Sequence, residues 1–138
     1  VRRRPFLADH TTRADHIVTN PDFKLSRKFV EHALTRITEG GTVCMLLPVR
    51  WEAAQSRRHL MALCCRKWVL SRRPEMHRGG YAGQRHSPQL DCAWYVFRRD
   101  HTGPTHTVVL PPDCGEVPPL LPAEIDAIAK LAERMEAA

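Results

Sequence analysis

The sequence predicts a single α/β domain organised around a parallel sheet. Three observations carry this. Short apolar runs recur at Thr42–Val49, Lys67–Ser71 and Cys92–Arg99, each bounded by turn residues and too short for an independent helix. A segment with helical apolar spacing separates the first of these from an earlier β-branched run. At 138 residues and 43% apolar content the chain can bury one core, but it is too short for two independent ones.

In chain order, His16-Ile17-Val18-Thr19 reads as a short buried strand of the parallel kind, and Pro21 stops it. Leu25, Phe29, Val30, Ala33, Leu34 and Ile37 then follow helical spacing, which predicts a helix from about Lys24 to Glu39 stopped by Gly40-Gly41. Thr42–Val49 (TVCMLLPV) reads as a central strand covered on both faces. Trp51–Cys65 fits a second helix, Lys67–Ser71 a third strand, Cys92–Arg99 a fourth, and His106–Leu110 a fifth that extends or closes the sheet. Trp51, Trp68 and Trp94 sit in apolar settings and are expected in the core, with Cys64-Cys65 packing at a helix end. After the Pro-rich PPDCGEVPPLLP, Ile125, Ile128, Ala129, Ala132 and Met135 mark one face of a terminal helix over Ala123–Ala138. The division is therefore 1–110, the α/β body, and 111–138, a Pro-rich linker and C-terminal helix.

Charge is unevenly distributed. Of 21 basic and 15 acidic residues, two and six respectively lie from Pro111 onward, so the first 110 residues carry a net +10. That excess points to a polyanionic partner, most simply nucleic acid. The connection between the third and fourth strands, about 20 residues long, concentrates it. Arg72, Arg73, Arg78 and Arg85 with His77 and His86 face only Glu75 and Asp91 there, and connections of that length are functional or disordered.

Five cysteines without a Cys-x-x-Cys pair predict a reduced, cytoplasmic protein. The longest apolar run, Val43–Val49, already contains Pro48, so no membrane span is predicted. No metal site is expected either, because Cys92, His101, His106 and Cys114 have ligand chemistry but no zinc-type spacing. No proline precedes a cysteine, which excludes the Pro-Cys nucleophile of cytosine-C5 methylation.

The turn Asn20-Pro21-Asp22-Phe23 closes the first strand at its carboxyl end, where open α/β sheets bind ligands. An Asn side-chain oxygen and the Pro21 carbonyl are two acceptors for an exocyclic amino group of a planar base, and Phe23 offers a stacking face.

These segments, IVTNPDFKLSRKFVEHAL, GGTVCMLLPVRW, WVLSRRP and DCAWYVFRR, resemble the second half of class I S-adenosylmethionine-dependent methyltransferases, and most closely phage and bacterial DNA adenine-N6 methyltransferases with their Asn/Asp-Pro-Pro-Phe/Tyr motif. The resemblance spans roughly Phe6 to Leu110. It implies a partial Rossmann-like, three-layer αβα methyltransferase sheet and methyl transfer from S-adenosylmethionine to adenine in DNA. In that reading Asn20 and Pro21 hold the amino group and Phe23 stacks on a flipped base. Arg72, Arg73, Arg78 and Arg85 approach DNA, and Asp9, in a segment like the one preceding the motif strand, contacts the donor.

Two departures refine these expectations. Asp22 stands where the family has a second proline, predicting a less rigid turn with a carboxylate near the DNA path. The Phe-x-Gly-x-Gly donor turn is absent, so the chain by itself is expected to bind donor weakly or not at all and to act with a missing N-terminal half or a second subunit. The chain begins at Val1, as a processed product or a piece of a longer protein would. The alternatives are a degenerate or split DNA-binding half without its own activity, and an RNA or protein-glutamine N-methyltransferase.

Overall fold

The computed structural model describes residues 5–74, 90–112 and 122–137. Five strands, β1 (Ala14–Thr19), β2 (Ile37–Pro48), β3 (Cys64–Leu70), β4 (Cys92–Phe97) and β5 (His106–Leu110), form one sheet in the order β1-β2-β4-β3-β5. The sheet is mixed. β1 runs parallel to β2 and β3 parallel to β5, whereas β4 is antiparallel to both neighbours. The expectation of a parallel sheet is corrected here: β4 pairs antiparallel with both β2 and β3.

Helix α1 (Ser26–Arg36) joins β1 to β2 and lays Val30, Ala33 and Leu34 against Val43, Met45 and Leu47 of β2. Ala93, Tyr95 and Phe97 of β4 continue this face, and Trp51 meets Tyr95 and Phe97 edge-on at ring-centroid distances of 5.7 and 5.9 Å. Each large apolar side chain buried here contributes roughly 1.5–3 kcal/mol. The main core cluster lies on the α1 face of the sheet, with Leu46 and Cys92 buried on the other, and the described residues form two layers of secondary structure where three were expected. β1 differs in the same way. It is an edge strand, and Val18, on the face away from α1, is 67% exposed.

Helix boundaries also moved. α1 ends at Arg36, not near Glu39, because Ile37 takes up pairing with Ala14 and the chain enters β2 at once. The Gly40-Gly41 pair is then no helix stop but a kink inside β2. Gly40 adopts φ 74°, and the register shifts between Ala14↔Ile37 and His16↔Thr42. A Cβ on Gly41 would lie 2.4 Å from the Asp15 carbonyl oxygen, so Gly41→Ala is expected to destabilise the fold by about 1–3 kcal/mol in urea unfolding through this overpacking. The second helix shrinks to a 3-10 turn (Gln55–Arg57) and the single turn α2 (Arg58–Met61). Cys64-Cys65 consequently open β3, not a helix end. The terminal helix α3 spans Pro122–Glu136. No helix among the described residues is long and apolar enough to cross a membrane.

Candidate functional site

Parallel β1, β2, β3 and β5 point their carboxyl ends to one edge, and the turns that follow them gather there: Asn20–Phe23, Val49–Glu52, Ser71–Pro74 and Pro111-Pro112. β4 enters from the same edge, tied by a hydrogen bond from the Val49 N–H to the Asp91 carbonyl at 2.9 Å.

Within Asn20–Phe23, Pro21 is buried, Phe23 is half-buried and Asn20 is exposed. The Asn20 side chain engages no partner among the described residues, and no other ring there pairs with Phe23. Asp22, the residue that departs from the motif, caps the following 3-10 turn (Phe23–Leu25): its carboxylate accepts the Lys24 N–H at 3.0 Å and its carbonyl accepts the Leu25 N–H at 3.0 Å. The Asp22 carboxylate and carbonyl thus tie the turn to the 3-10 turn that follows.

A chain of hydrogen bonds anchors this turn to the core. The Ser26 hydroxyl donates to the Phe23 carbonyl at 2.8 Å, and the indole of buried Trp51 donates to Ser26 Oγ at 2.8 Å. Trp51 is in turn held by Arg57, whose guanidinium stacks 4.9 Å from the ring centroid and bonds the Trp51 carbonyl at 2.7 Å. Ser26→Ala leaves a buried indole N–H without an acceptor, so a loss of about 1–3 kcal/mol is expected in chemical denaturation.

Beneath the Val49–Glu52 turn lies a polar cluster. Lys67, 7% exposed on the core face of β3, donates to the Glu52 carboxylate and to the Val49 carbonyl, the latter at 2.6 Å. Tyr95 donates to the same carboxylate and to the Val49 carbonyl at 2.8 Å. Burial alone would raise the Glu52 carboxyl, but hydrogen bonds from Lys67 and Tyr95 outweigh it and hold the group below its ordinary range. Burial first, and the Glu52 carboxylate second, push the Tyr95 phenol far up, so it stays a donor. Ser26, Trp51, Glu52, Lys67 and Tyr95 had not been assigned any role at the site. The available signal was Lys67 itself, a cation at an inward position of an apolar strand.

The basic residues divide. Arg72 is exposed. Arg73 is paired with Asp91 at 2.7 Å, closing the base of the 72–91 connection, and this bond raises its pKa. Arg78 and Arg85 lie outside the described residues. Leu70, Ser71, Arg72, Arg73, Pro74, Pro111 and Pro112 line a cleft of about 230 Å³ at the ends of β3 and β5. Three strand spacings separate β1 from β3, about 14 Å, so the cleft and the Asn20 turn share one edge without touching.

Asp9 is not brought to that edge. It precedes β1, whose length puts about 20 Å between Ala14 and Asn20. Its carbonyl accepts a hydrogen bond from His32 Nε2 on α1 at 2.9 Å. Its carboxylate accepts the Thr11 and Thr12 N–H groups, each at 3.0 Å; bonds from Thr12 and then Thr11 hold it well below the usual carboxylate range. The neighbouring cavity, lined by Phe6, Asp9, Thr12, Arg13, Ala14, Ile17 and Arg36, measures about 110 Å³, short of the roughly 300–1,000 Å³ of small-molecule pockets. Asp9 therefore acts here as the cap of a local turn.

Burial pushes the Cys44 and Cys64 thiols up to about 11, leaving them protonated at neutral pH. Cys92 and the pair His101 and His106 fall at opposite ends of β4. No family model matches the chain, and no curated protein matches it significantly.

Proposed function

We propose that this chain is the base-binding half of an S-adenosylmethionine-dependent DNA adenine-N6 methyltransferase, with the donor site supplied by another segment or subunit. The observation that carries the reading is the braced turn at the carboxyl end of β1. Asn20 is exposed with no partner for its amide among the described residues, Pro21 and Ser26 are buried, and Phe23 is half-buried. The reversed strand β4 between two parallel strands, β2 and β3, agrees with the second half of such a methyltransferase sheet.

Two acceptor oxygens, from the Asn20 side chain and the Pro21 carbonyl, take the two N–H bonds of the adenine amino group and draw its lone pair out of ring conjugation. When bound, the donor would supply an electrophilic methyl group and take the bonding electron pair back onto its sulfur, and the methylated amino group would give its extra proton to solvent. A positioned pair of acceptors is sufficient, because the methyl group is already electrophilic. Phe23 contributes stacking of about 1–3 kcal/mol to the extruded base. Asp9 has no part in this reading, since its carboxylate is used by the Thr11-Thr12 turn.

Labelled S-adenosylmethionine offered with adenine-containing DNA, RNA and protein to the chain alone, and to the chain combined with a donor-binding methyltransferase half, tests the assignment. Label is expected in DNA adenine in the combined sample. Label in RNA or protein but not DNA overturns the DNA assignment. Arg72→Ala is expected to weaken DNA binding uniformly across sequences and to reduce the slope of log affinity against log salt by about one. Arg73→Ala acts instead through loss of its pair with Asp91, so its effect includes release of the loop base.

A further inference from the structure

The face of the sheet opposite α1 carries a second apolar surface. Cross-strand registers place Leu46, Trp94, Trp68 and Val108 side by side across β2, β4, β3 and β5. A neighbouring row runs Val18, Cys44, Val96 and Arg66 across β1, β2, β4 and β3. None of these residues belongs to the main core cluster; Leu46 and, on the same face, Cys92 are buried, Trp68, Trp94, Val108, Cys44 and Val96 are half-buried, and no helix among the described residues makes an extensive contact with this face. Trp68 and Trp94, expected in the core, are half-buried here. Parallel strand pairs are ordinarily covered on both faces, so a face of this composition calls for a cover.

The same chain carries an uncovered apolar helix. In α3, Ile125, Ala129, Ala132 and Met135 fall on one face and are all exposed, Ile125 by 53% and Met135 by 71%. Among the described residues α3 makes no extensive contact with another element.

We propose that α3 is the third layer of this domain, docking its Ile125–Met135 face on the Leu46–Trp94–Trp68–Val108 row. Three observations select this occupant. Eleven residues separate Leu110 from Pro122, a length that spans up to about 36 Å, against about 19 Å across the five strands. The helix, 15 residues and about 22 Å long, matches that width. Charge is complementary: residues 122–138 carry four acids and two bases, while residues 1–110 carry +10 and place exposed Arg66 on the open face. The inference is independent of the methyltransferase reading.

Acrylamide quenching of tryptophan in the full chain reads the docking directly, because Trp51 is only 2% exposed and the other two tryptophans are half-buried on the face opposite α1. At concentrations where sedimentation gives a monomer, Trp68 and Trp94 are expected to be shielded. Ile125→Asp with Met135→Asp roughly doubles the quenching constant and shifts emission to longer wavelength, since water replaces the apolar cover. Lys130→Asp, on the other side of the helix, leaves both readings at the wild-type value. The proposal is overturned if the monomeric wild type already quenches like the double variant, or if Lys130→Asp has the same effect. It is equally overturned if shielding rises only with dimer formation, which assigns the face to a second copy.

Discussion

On the proposed function, Asn20→Ala is expected to lower methyl transfer to DNA adenine by about 10²–10³-fold in the chain combined with a donor-binding half, the range for removing one preorganised hydrogen-bonding group from a transition state. Unfolding free energy is expected to change by no more than about 0.5 kcal/mol, because Asn20 is exposed and supports no part of the fold. DNA affinity in a filter or anisotropy assay stays near wild type, since phosphate contacts dominate it. Asn20→Asp keeps an acceptor oxygen at the same place and is expected to recover much of the rate. An alanine variant that turns over normally would remove Asn20 from the mechanism. A variant that loses stability along with rate would make the residue structural.

The second large effect is expected at Glu52, which takes no part in the proposed chemistry. Glu52→Gln removes the charge that Lys67 and Tyr95 both address and leaves a nearly buried ammonium on β3 with only the Val49 carbonyl and the weakened amide. Breaking a fully buried pair costs about 3–5 kcal/mol; Glu52 is 38% exposed, so solvent screening reduces the expected loss to about 2 kcal/mol. Adding Lys67→Met should recover about half of it, because no charge is then left unpaired. The pH dependence has a definite sign. The folded Glu52 pKa is depressed, so its contribution is complete above the unfolded carboxylate value of about 4.3 and disappears as pH falls through the lower folded value. Urea midpoints of wild type and Glu52→Gln should accordingly differ most near pH 7 and converge below about pH 4. A constant difference across that range would remove the ion pair as its cause.

Both effects bear on the same edge. Glu52, Lys67 and Tyr95 fix the turn after β2, Trp51 carries that turn to Ser26, and Ser26 holds the carbonyl of Phe23. Loss of the cluster is therefore expected to loosen the Asn20–Phe23 turn as well as the core.

Local pattern was informative where one physical signal dominated. β5 was legible to the residue, and β1, β3 and β4 to within a few residues, because β-branched and aromatic runs between turn residues have few other uses. α1 was legible in its body, where apolar spacing is set by the core it faces, but not in its end. Gly40-Gly41 resembles a helix stop to any local reading, yet Ile37 leaves the helix because Ala14 is there to pair with it. Trp51–Cys65 has helical composition throughout. Only its middle is helical, since Trp51 is drawn into the aromatic cluster and Cys64 into pairing with Phe97. These are tertiary overrides of local propensity.

By itself, then, the sequence determined an α/β domain, its strands, the basic body with an acidic tail, and an Asn-Pro-Asp-Phe turn at a strand's carboxyl end. Those features depend on periodicity, composition and turn chemistry, all of which are local. Tertiary structure alone decided the reversal of β4, the placement of the main core cluster and the Glu52–Lys67–Tyr95 support. Each of these depends on which distant segments share a face or an end of the sheet, and residues so far apart along the chain carry no local sign of that meeting.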